Sequence, residues 1–206
     1  MMKKFKLFIF DLDGVVFDTK ANMRESWNFT KKRHHLSIPF NNYFSLIGAP
    51  FKIILYSLGI KKNFNKITKT YSDISKKKKN LVKLYPGVKS VLKQLSKFGK
   101  IAVVTSKDRN RTNMFIKKFG LKFDVISCPQ KGLNGKPKPD QILKVLKKLS
   151  IKKNESVYVG DMFVDFLTAK NAKIDFILAN YGYEKKTVNK VTKINKFKDL
   201  IKFKTK

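Results

Sequence analysis

Phe8-Ile9-Phe10-Asp11-Leu12-Asp13-Gly14-Val15-Val16-Phe17-Asp18-Thr19 runs from an unbroken apolar stretch into two carboxylates and a glycine. Leu7 to Phe10 is short and uniformly apolar, which reads as a buried strand of a parallel sheet rather than a half-exposed one. Open α/β sheets bind ions and phosphates at the carboxyl ends of their strands, so Asp11 and Asp13 stand where chemistry gathers. Two apart in extended backbone, they share a face. Adjacent carboxylates repel unless a cation lies between them or one is protonated. A hard divalent ion with oxygen ligands, Mg²⁺, resolves that conflict. Gly14 lets the chain turn sharply away from the site. Short Asp-x-Asp-Gly stretches also occur in acidic turns, so this segment does not decide its own role.

The rest of the chain decides it. Ile101-Ala102-Val103-Val104 is a second apolar run, ending in Thr105-Ser106-Lys107. Val157-Tyr158-Val159-Gly160 is another, ending in Asp161, with Asp165 four residues on. Between them lies Gly135-Lys136-Pro137-Lys138-Pro139-Asp140. The order Asp-x-Asp, Thr/Ser, Lys, Gly-Asp-x-x-x-Asp resembles the haloacid dehalogenase superfamily of phosphotransferases, over roughly residues 5 to 20 and 82 to 180. Tyr85-Pro86-Gly87-Val88 and Lys136-Pro137 with Pro139-Asp140 look like its phosphoglycolate phosphatase type, which carries a helical cap.

The resemblance implies a role for each motif. Asp11 is the nucleophile, since a carboxylate can attack phosphorus and split hydrolysis through an aspartyl-phosphate. Asp13 is the general acid that protonates the leaving oxygen and then the base that activates water. Thr105, with Ser106, holds a phosphoryl oxygen through hydroxyl and backbone N–H groups, although a Thr-Ser pair after a strand is also a common helix cap. Lys136 offsets charge on Asp11 and on the phosphoryl group; Lys138 competes, and the flanking prolines favour Lys136. Asp161 is the Mg²⁺ ligand across from Asp11, with the Asp13 main-chain carbonyl completing the protein ligands. Asp165 acts on the metal through a water or orients Lys136, its rival role being a helix N-terminal acid. Gly14 and a cap loop at Gly48-Ala49-Pro50 complete the substrate-binding set. No arginine lies in that loop, so a glycolate-type substrate is not assured, and sugar phosphates and nucleotides stay possible.

Apolar residues from Ala21 to about Leu81 fall at mixed three- and four-residue intervals, which predicts a helical cap over residues 19–81. The core then comprises residues 1–18 and 82–206. Beyond Pro86, strands and helices alternate, which predicts a doubly wound parallel α/β sheet. The resemblance implies the strand order 5-4-1-2-3 with Leu7 to Phe10 central. The lysine-rich tail beyond Tyr183 ends in Phe197 to Ile201, read as a final helix. Trp27 reads as cap core, while His34, His35 and Cys128 carry no site.

The chain has 206 residues, 42% of them hydrophobic, enough for a folded domain with an insertion. One cysteine excludes an internal disulfide and a cysteine-rich zinc site, which fits a cytoplasmic location. The apolar run behind the basic start stops at Asp11, too short for a signal peptide or a membrane span. The net charge of +33 ordinarily suggests polyanion partners, yet only Arg24, Arg33, Arg109 and Arg111 among 47 basic residues are arginine. Arginine dominates bidentate phosphate and base recognition, and the lysines are scattered, so a solvated surface is expected over a specific nucleic-acid site. The expected activity is a Mg²⁺-dependent phosphatase acting on a small organic phosphate ester, as a monomer or homodimer. A phosphomutase, a nucleic-acid end phosphatase and a polyanion-binding module are the rivals.

Overall fold

The computed structural model describes residues 3–184 and 191–205, so residues 185–190 of the lysine-rich tail lie outside it. Leu7–Phe10 forms β1 at the centre of a six-stranded sheet. On one side it pairs in parallel with β4 (Lys100–Val104), which pairs with β5 (Val125–Ser127). On the other it pairs with β6 (Ser156–Gly160), followed outward by β7 (Asp175–Ala179) and β8 (Thr192–Ile194), again all parallel. Five of these strands stand in the expected order with β1 central. The sixth, β8, is an addition at the edge. Its sequence, Thr-Lys-Ile, buries only Ile194 and gives no apolar run to read.

Alternation along β1 builds two cores, because successive side chains point to opposite faces. Phe8 and Phe10 enter a core shared with α5 (Val88–Phe98) and α6 (Arg109–Phe119). Leu7 and Ile9 enter the other, beneath α7 (Asp140–Leu149) and α8 (Phe163–Ala172). All four strand side chains are fully buried, each worth about 1.5–3 kcal/mol on transfer from water. The first core is closed by Phe197–Phe203, a 3₁₀ helix where the sequence reading places a final helix; Phe197 stacks on Phe10. Asp199 caps that turn by accepting from the Asn195 and Lys196 N–H groups, which ties down its start.

Between β1 and α5 the chain makes four helices: α1 (Lys20–Arg33), α2 (Phe40–Phe44), α3 (Phe51–Ser57) and α4 (Phe64–Lys77). Their apolar faces share one cluster built around Trp27, which is fully buried and stacked on Tyr43 at 4.5 Å. Asn22, buried in α1, donates to the Ser75 and Lys78 carbonyls and accepts from the Ser75 hydroxyl, fastening α1 to the end of α4. The two connections to the sheet lie side by side, β2 (Phe17–Asp18) pairing antiparallel with β3 (Lys83–Leu84). Met162, just past β6, packs into the helical cluster and so brings the helices over the carboxyl end of the sheet. Among the described residues no helix is long and apolar enough to cross a membrane.

Candidate active site

Three adjacent strands end in the residues that line one point. Asp11 follows β1, Thr105 follows β4 and Asp161 follows β6, and all three are buried. Lys136 reaches the same point from the loop before α7. Its Nζ donates to Asp11 Oδ1 at 2.6 Å and to Asp165 Oδ1 at 2.7 Å, with only 1% of its side chain exposed. Burial alone pulls a lysine down, but Asp11 and Asp165 outweigh it and hold the Lys136 ammonium above its usual range. Asp11 is pushed up to about 7 by burial, with Lys136 opposing and the Asp165 and Asp13 charges reinforcing.

Asp165 is spoken for on every side. Oδ1 also accepts from Tyr158 Oη at 3.1 Å, and Oδ2 accepts from the Asp161 and Met162 backbone N–H groups at 3.2 and 3.1 Å. Both sequence roles therefore meet in one side chain, which starts α8 and fixes Lys136. Asp161 is the opposite case. Its Oδ2 accepts from the Tyr183 N–H at 2.7 Å, while Oδ1 is buried with no hydrogen-bond partner. Burial first, then the charges of Asp165 and Asp11, push its carboxyl well above the usual range. Oxygens of Asp11, Asp161 and Asp165 lie within 4.8 Å of one another. An orphaned buried carboxylate oxygen among hard donors, with no histidine or thiolate, fits a small hard cation. Gly14 (φ +86°) passes directly against the Asp161 carboxylate, where any Cβ would collide.

The Asp13 carboxylate turns away from that group. Its Oδ2 pairs with Lys107 Nζ at 3.0 Å and its Oδ1 accepts from Thr19 Oγ1 at 2.7 Å. Burial holds the Lys107 ammonium below the usual lysine range, with Asp13 opposing. Thr19 N–H donates to Tyr183 Oη at 2.6 Å, and that hydroxyl donates in turn to Asp18 Oδ1 at 3.2 Å. Tyr183 thus grips Asp161 by its backbone and the start of the helical insertion by its side chain. Its ring meanwhile packs on Phe44.

The helices roof this floor. Asp11, Asp13, Thr105, Ser106, Lys107, Arg111 and Met162 face Met23, Tyr43, Ile47, Gly48, Ala49, Phe51, Ile54 and Tyr71 across a cavity of about 50 Å³. That is room for one or two waters. Thr105 Oγ1 accepts from the Lys107 N–H at 3.2 Å, which leaves its own O–H free to donate. The Ser106 hydroxyl donates to the Gly48 carbonyl at 2.6 Å, so it latches floor to roof. Gly48 (φ +93°) sits so close to Val164 that a Cβ there would stand 2.7 Å from Cγ1.

Lys107, Arg111, Tyr183 and Tyr158 escaped the sequence reading. Lys107 directly follows the Thr-Ser pair, and Arg111 lies one turn further into α6, a signal masked by the abundance of lysine. Nothing local marks the tyrosines. Trp27 lies in the core of the helical insertion, His34 bonds Thr70 Oγ1 at 2.9 Å, and Cys128 is buried.

Comparison with known proteins agrees with the geometry. A protein of Caldanaerobacter subterraneus subsp. tengcongensis, provisionally named pyrophosphatase PpaX, is 33% identical over 184 residues, covering 87% of this chain and 83% of its own. A phosphoglycolate phosphatase of Agrobacterium fabrum is 28% identical, with 86% and 81% covered. The crystal structure of a provisionally named phosphoglycolate phosphatase from Lactobacillus plantarum superposes with a TM-score of 0.88 at 21% identity, covering 97% and 99% of the two chains. The haloacid dehalogenase-like hydrolase family model matches residues 8–179. With its strand-end aspartates, buried lysine and helical roof, the chain belongs to the haloacid dehalogenase-like hydrolases.

Proposed function

We propose that the protein is a Mg²⁺-dependent phosphatase that hydrolyses a small phosphate compound through a phosphorylated Asp11. The observation that carries this reading is Asp11 on the cavity floor, charge-compensated by buried Lys136 and beside an Asp161 oxygen that lacks a partner. The relatives named as phosphatases support the same class.

Asp11 attacks the phosphorus, and the bond to the leaving oxygen breaks as that oxygen takes a proton from Asp13. As seated, Asp13 rests on Lys107, whose ammonium also attracts an anionic substrate. Thr19 keeps the Asp13 carboxylate oriented. Thr105 donates its O–H to a phosphoryl oxygen, and Lys136 offsets the charge that gathers on the equatorial oxygens. Asp13 then removes a proton from the water that releases phosphate from Asp11. Asp11, Asp161 and the Asp13 main-chain carbonyl would hold Mg²⁺. When bound, the ion neutralises phosphoryl charge and lets neighbouring carboxylates stay ionised. Asp165 holds Lys136 in place, and the helical cap over residues 19–81 excludes water while phosphoryl transfer proceeds.

The helical roof over the floor favours a small substrate over an oligonucleotide end. A panel of small phosphate compounds assayed with Mg²⁺ tests the reading. Turnover of at least one, abolished by EDTA and by Asp11→Asn, is expected. Turnover that survives Asp11→Asn or a verified metal-free preparation would overturn it.

A further inference from the structure

The geometry points to a second anion-recognition site inside the cavity, formed by Arg111 and Tyr71. It suits a compact phosphate compound bearing a further anionic group next to the reacting phosphorus. The inference rests on the phosphatase reading and narrows its substrate class.

Arg111 enters from the first turn of α6 and is 7% exposed, although a guanidinium does not shed its charge when buried. Its ion-pair partner is Asp108, and that pairing is one-sided. Asp108 Oδ1 is committed to capping α6 by accepting the Arg111 backbone N–H at 2.9 Å, and only Oδ2 meets Nε. Bidentate pairing is therefore not formed, and the Nη donors are left for other acceptors. The Tyr71 ring lies beneath the guanidinium at 5.2 Å.

Tyr71 carries the argument into the cavity. Its hydroxyl accepts from Tyr43 Oη at 2.8 Å. A hydroxyl that accepts in this way keeps its own O–H to give. Tyr71 and Arg111 line the cavity together, in a region where the roof otherwise offers Met23, Ile47, Phe51 and Ile54. Two hydrogen-bond donors, one of them a full charge, thus face a largely apolar roof that contributes no anion. Lys107 stands between them and Asp13, so the cationic wall is continuous with the catalytic floor. A second phosphate or a carboxylate on the substrate satisfies these donors; a neutral leaving group leaves them unpaired, which penalises it.

The test compares kcat/KM, with Mg²⁺, for inorganic pyrophosphate, 2-phosphoglycolate and methyl phosphate, in wild type, Arg111→Gln and Tyr71→Phe. Wild type should prefer one of the two anion-bearing substrates, and which one identifies the second group as phosphate or carboxylate. Arg111→Gln should lower kcat/KM on the preferred substrate about 10–100-fold, mainly through KM, and at least tenfold more than on methyl phosphate. Tyr71→Phe should do the same more weakly. Equal losses on all three substrates, or no preference in wild type, would overturn the inference. If wild type turns over none of the three, the phosphatase reading is at fault. Calorimetric binding of methylenebisphosphonate still tests Arg111: weakening of tenfold or more by Arg111→Gln supports the site, and unchanged affinity overturns it.

Discussion

The floor and the roof of the cavity are built on opposite terms. The floor comes from strand ends and is crowded with ionised groups: Lys136 between two carboxylates, Lys107 on Asp13, and four donors on Asp165. The roof is helical and largely apolar, with tyrosine hydroxyls and the Gly48 carbonyl among its polar atoms. A rigid sheet can hold charges close together because each strand end is fixed by its neighbours; a helical layer joined through two short strands can shift as a unit. The difference separates chemistry from selection. Changes on the floor should strike turnover, and changes at the seam should strike substrate binding or closure.

Lys136→Met should break the floor hardest. It leaves Asp11 and Asp165 buried without their cation, so turnover should fall about 10²–10³-fold and stability by about 3–5 kcal/mol. Urea denaturation and steady-state kinetics check both. A fully stable variant would mean that the carboxylates do not need the lysine. Asp161→Asn removes the charge from the orphaned oxygen, and the Mg²⁺ concentration for half-maximal activity should rise by at least about tenfold. An unchanged requirement would place the cation elsewhere.

Tyr183→Phe sharpens the comparison, because Tyr183 belongs to both halves. The ring and the backbone donor to Asp161 remain, and only the hydroxyl that receives the Thr19 N–H is lost. Its effect should pass through Asp13 as proton donor. Alkyl phosphates, whose leaving groups need the proton, should slow about tenfold, the worth of one hydrogen bond. Aryl phosphates with acidic leaving groups should slow far less. Equal slowing would reduce Tyr183 to a structural strut. Ser106→Ala, which cuts the latch to Gly48, should be mildest: KM rises about 2–10-fold while kcat holds. A fall in kcat to match would return Ser106 to the floor.

The same division explains what could be read from sequence. The strand-end positions of the floor were legible because apolar runs broken by Asp11, Thr105 and Asp161 mark those ends. The five central strands were legible for the same reason, since buried parallel strands are continuous apolar runs. β8 was not, because an edge strand with one buried side chain carries no such signal. Lys107 and Arg111 were hidden in a chain of 47 basic residues, where only packing distinguishes a buried cation from a solvated one. The Ser106 latch was not legible because a hydroxyl after a strand can turn to phosphate, helix or roof, and the roof loop that takes it is 58 residues distant.

The central claim is that Asp11 carries the phosphoryl group. Enzyme turning over a substrate with Mg²⁺ should be acid-quenched and the Asp11 peptide examined by mass spectrometry. The account predicts one added phosphoryl group on Asp11, absent from Asp11→Asn. An unmodified Asp11 during rapid turnover, with Asp11→Asn retaining wild-type rates, would contradict it.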